Sequence, residues 1–220
     1  GYNRELQLPQ IGKNEVCVYQ LHQAFFELWD ERFAGTLVPV FSLRTKRSFG
    51  VGDFGDLKAM IDFVAQTNQR VLQVLPINDS TTTHTWTDSY PYSCISIFAL
   101  HPQYVDLNAL PLLKKEEDRM AFEALRQELN ALSQIDYERV NNAKTAYLKL
   151  LFEQEGKEMM KGEDFKKFFE EESRWLVPYA QYCYLRDLYG TADFTQWPDH
   201  NTWDDAERKA LSTPTTKAYK

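Results

Sequence analysis

Val71-Leu72-Gln73-Val74-Leu75-Pro76 is a short, nearly continuous apolar run closed by a proline. Runs of this kind are strands covered on both faces, as in parallel sheets. Upstream, Leu37-Val38-Pro39-Val40-Phe41-Ser42-Leu43 has the same character, with Pro39 tolerable only near an edge or a strand start. Between the two runs Leu57, Met60, Ile61 and Val64 recur at helical spacing, and Asp56 stands where it can cap that helix. Strand, helix and strand in so short a span predict a right-handed βαβ unit with a parallel pair. The expected class is α/β.

Further along, the pattern changes. Phe122, Leu125, Leu129 and Leu132 mark one helix, and Val140, Ala143, Tyr147 and Leu151 a second. Phe165, Phe168 and Phe169 suggest a third, and a fourth is expected from about Pro178 to a stop at Gly190. The charged stretches Lys114–Arg119 and Glu170–Arg174 read as solvated faces. Residues 112–212 are therefore expected to be a separable helical unit without new parallel strands. Near the start, Leu21, Phe25, Leu28 and Trp29 fit a short amphipathic approach segment. The chain opens on Gly1-Tyr2 without a methionine or a signal-peptide pattern, which suggests a processed start or a piece of a longer protein.

Composition narrows the function classes. The chain has 220 residues, 43% of them hydrophobic, enough to bury a core. No apolar run reaches the ~20 residues a helical membrane span needs. The net charge is −7 and there is no basic stripe to neutralise phosphates, which argues against a nucleic-acid partner. Cys17, Cys94 and Cys183 form no C-x-x-C pair, so neither a disulfide framework nor a zinc site is indicated, and a reducing cytoplasm is expected. Cys94 reads as buried and inert. His22, His84, His101 and His200 are scattered without an i, i+4 pair, so they offer no metal site; His101, before Pro102, reads as packed. Trp175, Trp197 and Trp203 read as core anchors of the helical block. Aromatics make up 14% of the chain, a surplus that suits a neutral ligand with flat faces, such as a sugar.

Gly50-Val51-Gly52-Asp53-Phe54-Gly55 satisfies G-x-G-x-x-G, and Asp79 lies near the place of a ribose-binding acid. A nucleotide-binding oxidoreductase is thus one reading. Against it, Arg44–Phe49 separates the glycines from the strand, and Pro76 and Ile77 carry Asp79 past the strand end. Asp53 and Asp56 also place negative charge where a pyrophosphate would meet the helix N-terminus. The plainer reading is a tight, close-packed turn.

The stretch Ile77–Ser93 follows the carboxyl end of the second strand, where α/β folds place ligands. It mixes hydroxyls, carboxylates and the rings of Trp86, Tyr90 and Tyr92, and contains no glycine. Sugars call for that mixture, with donors and acceptors for hydroxyl groups and flat rings for the C–H face. A surface loop packed down by its own aromatics fits the composition equally well.

Three ordered segments carry a resemblance: PVFSLRTKRSFGVGDFGDL at 39–57, VLQVLPIND at 71–79 and TWTDSYPYSCISIFALHP at 85–102. Together they resemble the opening of the catalytic domain in the 4-alpha-glucanotransferases, the amylomaltases or disproportionating enzymes of glycoside hydrolase family 77. The match covers about Gly35 to Leu110. One residue more stands between the Asp88-Ser89 pair and Pro91-Tyr92 than in the simpler members. The longer loop and the helices after it look more like the type known from plant cytosol and some bacteria, in which an insertion interrupts the barrel.

That resemblance implies the first two strands of a (β/α)8 barrel followed by a mostly α-helical insertion. The implied division is an approach segment over 1–34, barrel over 35–111 and insertion over 112–220. It implies retaining transfer between alpha-1,4-glucans, with a carboxylate nucleophile and a sugar hydroxyl as acceptor, and no metal or organic cofactor. The family's innermost donor-subsite aromatic falls on Tyr92, and Asp88 and Ser89 match its D-S pair. Asp79, His84 and Trp86 join the expected substrate-binding set. The family's catalytic carboxylates lie on later strands, so none is expected in this chain. The expected partners are malto-oligosaccharides and the remainder of a parent catalytic domain, with self-association open. The second reading is a carbohydrate-binding or scaffold piece without chemistry.

Overall fold

The computed structural model describes residues 32–202 and 204–213, with scattered positions between 10 and 18. The expected helix of the approach segment, with Leu21, Phe25, Leu28 and Trp29, lies outside the described residues, as do Cys17, His22 and Trp203. Strand β1 (Gly35–Leu37) and strand β2 (Val71–Gln73) are parallel, with Gly35 opposite Val71 and Leu37 opposite Gln73. Helix α1 (Phe54–Gln66) connects them, so the expected βαβ unit is present.

β2 is shorter than its apolar run, and β1 shares only Leu37 with the run at 37–43, lying instead on the residues before it. Pro39 has no N–H to extend the ladder, and Val40–Ser42 turns into a 3-10 helix instead of continuing as strand. Nor are the strands covered on both faces: Leu37, Val71 and the α1 side chains Ile61 and Phe63 are exposed. The helix cap also differs from expectation. Asp53 is the N-cap, accepting from the amides of Gly55 and Asp56, while Asp56 at N3 accepts from the Asp53 amide. This reciprocal pair is a capping box.

Three longer helices follow: α2 (Glu116–Ala131), α3 (Tyr137–Met159) and α4 (Glu163–Tyr189); α5 (Asp205–Leu211) is short. The third and fourth expected helices are one. Pro178 lies inside α4 rather than at its first turn, and the helix persists across the missing N–H. The stop at Gly190 is as expected, with left-handed φ 68. No strand occurs beyond residue 111 among the described residues.

One core joins the glycine turn to the helices. Phe49, Val51, Leu107 and Leu113 pack with Leu129 of α2 and Val140, Ala143 and Tyr147 of α3. The packing thus runs straight across residue 111, which does not favour independent folding of the helical block. The glycines make this approach possible. A Cβ on Gly50, at φ 77, would stand 2.8 Å from Leu129 Cβ, and one on Gly52 would meet the backbone of Val40 and Leu43.

Beneath the turn lies a buried polar cluster. Lys144 of α3 donates to the carbonyls of Gln103 (2.6 Å) and Val105 (2.8 Å), with its ammonium 3.9 Å from Asp53. Burial pulls the Lys144 pKa down to about 8, against the attraction of Asp53. Burial likewise raises Asp53 to about 6, against Lys144. Asp56 accepts from the hydroxyls of Thr45 and Ser48, both at 2.7 Å. The α1 N-terminus is thus already occupied by carboxylates, which removes the basis for a pyrophosphate site.

Candidate functional site

The loop beyond β2 is closed at its base by short antiparallel pairing. Asn78 bridges Leu100, the Asp79 amide donates to Ala99 O (2.9 Å), and the His101 amide donates to Ile77 O (3.0 Å). The Ile95 amide donates to Asp79 O at 2.7 Å. Residues 80–98 therefore form a loop whose two ends meet at one zipped neck.

Asp88 organises the loop from inside. It is only 3% exposed, and its oxygens accept from Thr82 Oγ1, from both the amide and hydroxyl of Thr83, and from the His84 amide at 2.7 Å. Burial pushes its pKa upward, but the hydrogen bonds from Thr83 and Thr82 outweigh this and hold the carboxyl below its ordinary value. The same bonds keep His84 in the left-handed region at φ 57, uncommon for a residue with a side chain. Around this centre, Ser80 Oγ donates to Asp88 O (2.6 Å) and Ser89 Oγ to Trp86 O (2.6 Å).

Asp79 is 1% exposed. One of its oxygens accepts from the amide and hydroxyl of Thr81, and the other from the phenol of Tyr179 at 2.5 Å. Burial and this carboxylate raise the Tyr179 pKa, so the phenol stays protonated and donates. Arg186 donates through Nη1 to Thr81 O (2.7 Å) and through Nε to Asp187, whose carboxylate also meets His84 Nε2 at 2.8 Å. From α3, Glu138 accepts the Trp86 amide at 3.0 Å. Tyr179, Arg186, Asp187 and Glu138 were not among the expected site residues. They lie 52 to 105 positions from the atoms they hold, so no local pattern reveals them.

The six expected site residues thus separate into two groups. Asp79, Asp88 and Ser89 have side-chain oxygens in hydrogen bonds within the protein, and His84 meets Asp187 through Nε2 although its side chain is exposed. Trp86 and Tyr92 are open, 66% and 61% exposed. Tyr92 is paired with Tyr90, ring centroids 5.6 Å apart and planes tilted by 55°, while Pro91 between them is buried. Exposed aromatic faces of this kind are ones on which the flat apolar side of a ligand can stack.

The remaining candidates resolve simply. His101 is buried, its Nδ1 accepting the Gln103 amide (3.1 Å), and burial lowers its pKa. Cys94 is exposed, not buried, because it lies on the outward part of the loop. Trp197 is buried among Tyr182, Tyr189 and Phe194; Trp175 is half-buried and stacks on Phe98 at 5.5 Å. Among the described residues, no group of three or more His, Cys, Asp or Glu is placed to hold a metal ion, and no helix is long and apolar enough to cross a membrane.

Comparison with known proteins agrees with the motifs. Residues 38–220 match the family model for 4-alpha-glucanotransferase. The chain is 37% identical over 166 residues to the rice (Oryza sativa subsp. japonica) 4-alpha-glucanotransferase DPE2, covering 76% of this chain and 17% of that protein. It is 36% identical over 164 residues to the 4-alpha-glucanotransferase of Chlamydia muridarum, covering 74% of this chain and 30% of that one. With the Chlamydia trachomatis serovar D enzyme of the same name it shares 37% identity over 198 residues, 87% of this chain and 36% of that one. The chain spans about a third or less of the length of these relatives. On the motifs, the matched residues and these identities together, the chain belongs to the 4-alpha-glucanotransferase family.

Proposed function

We propose that this chain is the glucan-binding front portion of a 4-alpha-glucanotransferase that transfers alpha-1,4-glucan segments between malto-oligosaccharides or glycogen-like acceptors. The observation that carries the reading is the exposed Tyr90–Tyr92 pair on an internally locked loop beyond a parallel strand. Tyr92 stacks on a donor sugar, and Trp86 offers a second open ring. Asp79, Asp88, Ser89 and His84 serve the substrate by fixing the loop. The carboxylates that break and form the glycosidic bond come from outside these residues, which accounts for Asp79 and Asp88 being engaged within the loop.

In this reading residues 35–111 are the opening of a (β/α)8 barrel, 1–34 lead into it, and 112–220 are a helical insertion. The exposed Leu37, Val71, Ile61 and Phe63 then face later barrel elements. The setting is the cytoplasm, and the reaction needs no added cofactor. The test is to incubate the full-length protein with maltotriose and measure glucose and longer oligosaccharides. Products in both directions support transfer; absence of turnover across maltose, maltotriose and glycogen sinks it. If residues 1–220 alone bind malto-oligosaccharide but the full-length protein transfers nothing, the chain is a carbohydrate-binding piece.

A further inference from the structure

Besides the stacking of Trp175 on Phe98, α4 holds the loop through three polar anchors. Tyr179 fixes the Asp79 carboxylate, Arg186 holds the Thr81 carbonyl, and Asp187 holds His84. These residues occupy one stripe of the helix, since 186 and 187 lie seven and eight positions, about two turns, after 179. Two of the anchors are well shielded. Arg186 is buried, and Tyr179 donates to a buried carboxylate. Their loop partners, Asp79 and Thr81, are joined by the Thr81 amide and hydroxyl donating to Asp79. His84 belongs to the part of the loop organised by Asp88, from which the chain continues through Trp86 to Tyr90 and Tyr92.

We infer that Tyr179, Arg186 and Asp187 are positioning residues for glucan binding, setting from α4 the loop conformation that presents the aromatic rings. The inference rests on the glucan reading above and adds to it a specific task for the helical block. Losing the Tyr179 hydroxyl leaves a buried carboxylate oxygen short of a donor. Losing the Arg186 guanidinium takes a donor from the Thr81 carbonyl and another from the Asp187 carboxylate that meets His84. Either change loosens the rings without touching sugar.

The experiment uses the full-length protein carrying Tyr179→Phe, Arg186→Gln or Arg186→Lys, with Tyr182→Phe as control. Tyr182 is on the same helix but donates to Ala192 O, away from the loop's hydrogen bonds. Amide hydrogen exchange at Thr81, Thr83 and His84 should quicken about tenfold in Tyr179→Phe and Arg186→Gln, with α1 amides unchanged. Arg186→Lys should recover part of the protection, and Tyr182→Phe should leave the loop as in wild type. With maltotriose, KM should rise about fivefold while kcat changes less, and the effect should shrink when Tyr92→Ala is already present. Loop exchange that stays unchanged, or quickens equally in α1, overturns the inference. So do kinetic effects that multiply fully with Tyr92→Ala. A wild-type protein without transfer activity would instead bring down the glucan reading and the inference's role in it, while the exchange data would still report whether α4 holds the loop.

Discussion

The ammonium of Lys144, midway along α3, lies 3.9 Å from the carboxylate of Asp53, the N-cap of α1. The pair is nearly inaccessible to water and ties the βαβ unit to the helices through two carbonyl acceptors and one carboxylate. Breaking one member of such a pair leaves the other buried and uncompensated.

Stability as a function of pH should report this pair. The Lys144 pKa falls to about 8 in the folded protein from 10.5. Between those values the unfolded chain binds more protons, so this residue makes stability rise as pH increases from 8 to 10.5. Asp53 has the opposite slope: its pKa is raised to about 6 from 3.8, so its contribution falls as pH rises through that window. Lys144→Met should remove the alkaline slope, a difference of about 1–3 kcal/mol across it. Urea unfolding at several pH values checks this; an alkaline slope identical to wild type would refute the assignment.

Gly52→Ala and Gly50→Ala should each destabilise the protein. At Gly52 the added carbon meets backbone atoms, which cannot rotate aside as a side chain does. At Gly50 it combines φ 77 with crowding against Leu129 and Val140. Losses of about 1–3 kcal/mol are expected in each case. Equilibrium denaturation is the measurement, and a neutral Gly52→Ala would contradict the close approach.

Tyr92→Ala should weaken glucan binding more than Tyr92→Phe, which keeps the ring. Loss of stacking is expected to cost about 1–2 kcal/mol, roughly a tenfold rise in KM or a matching fall in kcat/KM. Steady-state kinetics with maltotriose in the full-length protein decides the matter. Equal kinetics for wild type and Tyr92→Ala would remove the residue from the site.

Residues 1–220 alone should produce no glucose from maltotriose. Retaining transfer needs two carboxyl groups ~5–5.5 Å apart across the scissile bond. Asp79 and Asp88 are instead buried within the loop's own hydrogen bonds. Exposed Leu37, Val71, Ile61 and Phe63 should also make this piece prone to self-association, read by light scattering. Turnover that follows the fragment through purification would overturn the assignment of chemistry elsewhere.

The βαβ order and most of the helices were legible because periodicity reports burial directly, as with Val140, Ala143 and Tyr147 of α3. The place of the first strand was not, since β1 ends at Leu37 and Pro39 stops the ladder, while Val40 and Phe41 carry the hydrophobic signal into a 3-10 turn. The continuity of α4 was hidden for the converse reason: Pro178 is a local breaker, and tertiary packing carries the helix through it. In the loop, composition marks the stretch, but the inward or outward facing of each residue depends on partners far away. Asp88 and Tyr92 are near neighbours in sequence, yet one is enclosed and the other open.

The α4 anchors also order events in time. At a synthesis rate of ~5–20 residues per second, Tyr179 follows Asp79 from the ribosome by about 5–20 s. For that interval β2 and the loop exist as nascent chain with the Asp79 carboxylate lacking its phenol donor, so the loop cannot attain its final form until α4 has been delivered. Slow codons or a paused ribosome ahead of residue 179 would lengthen the period in which Trp86, Tyr90 and Tyr92 meet the cell unrestrained, and would make that period the one in which a chaperone matters most.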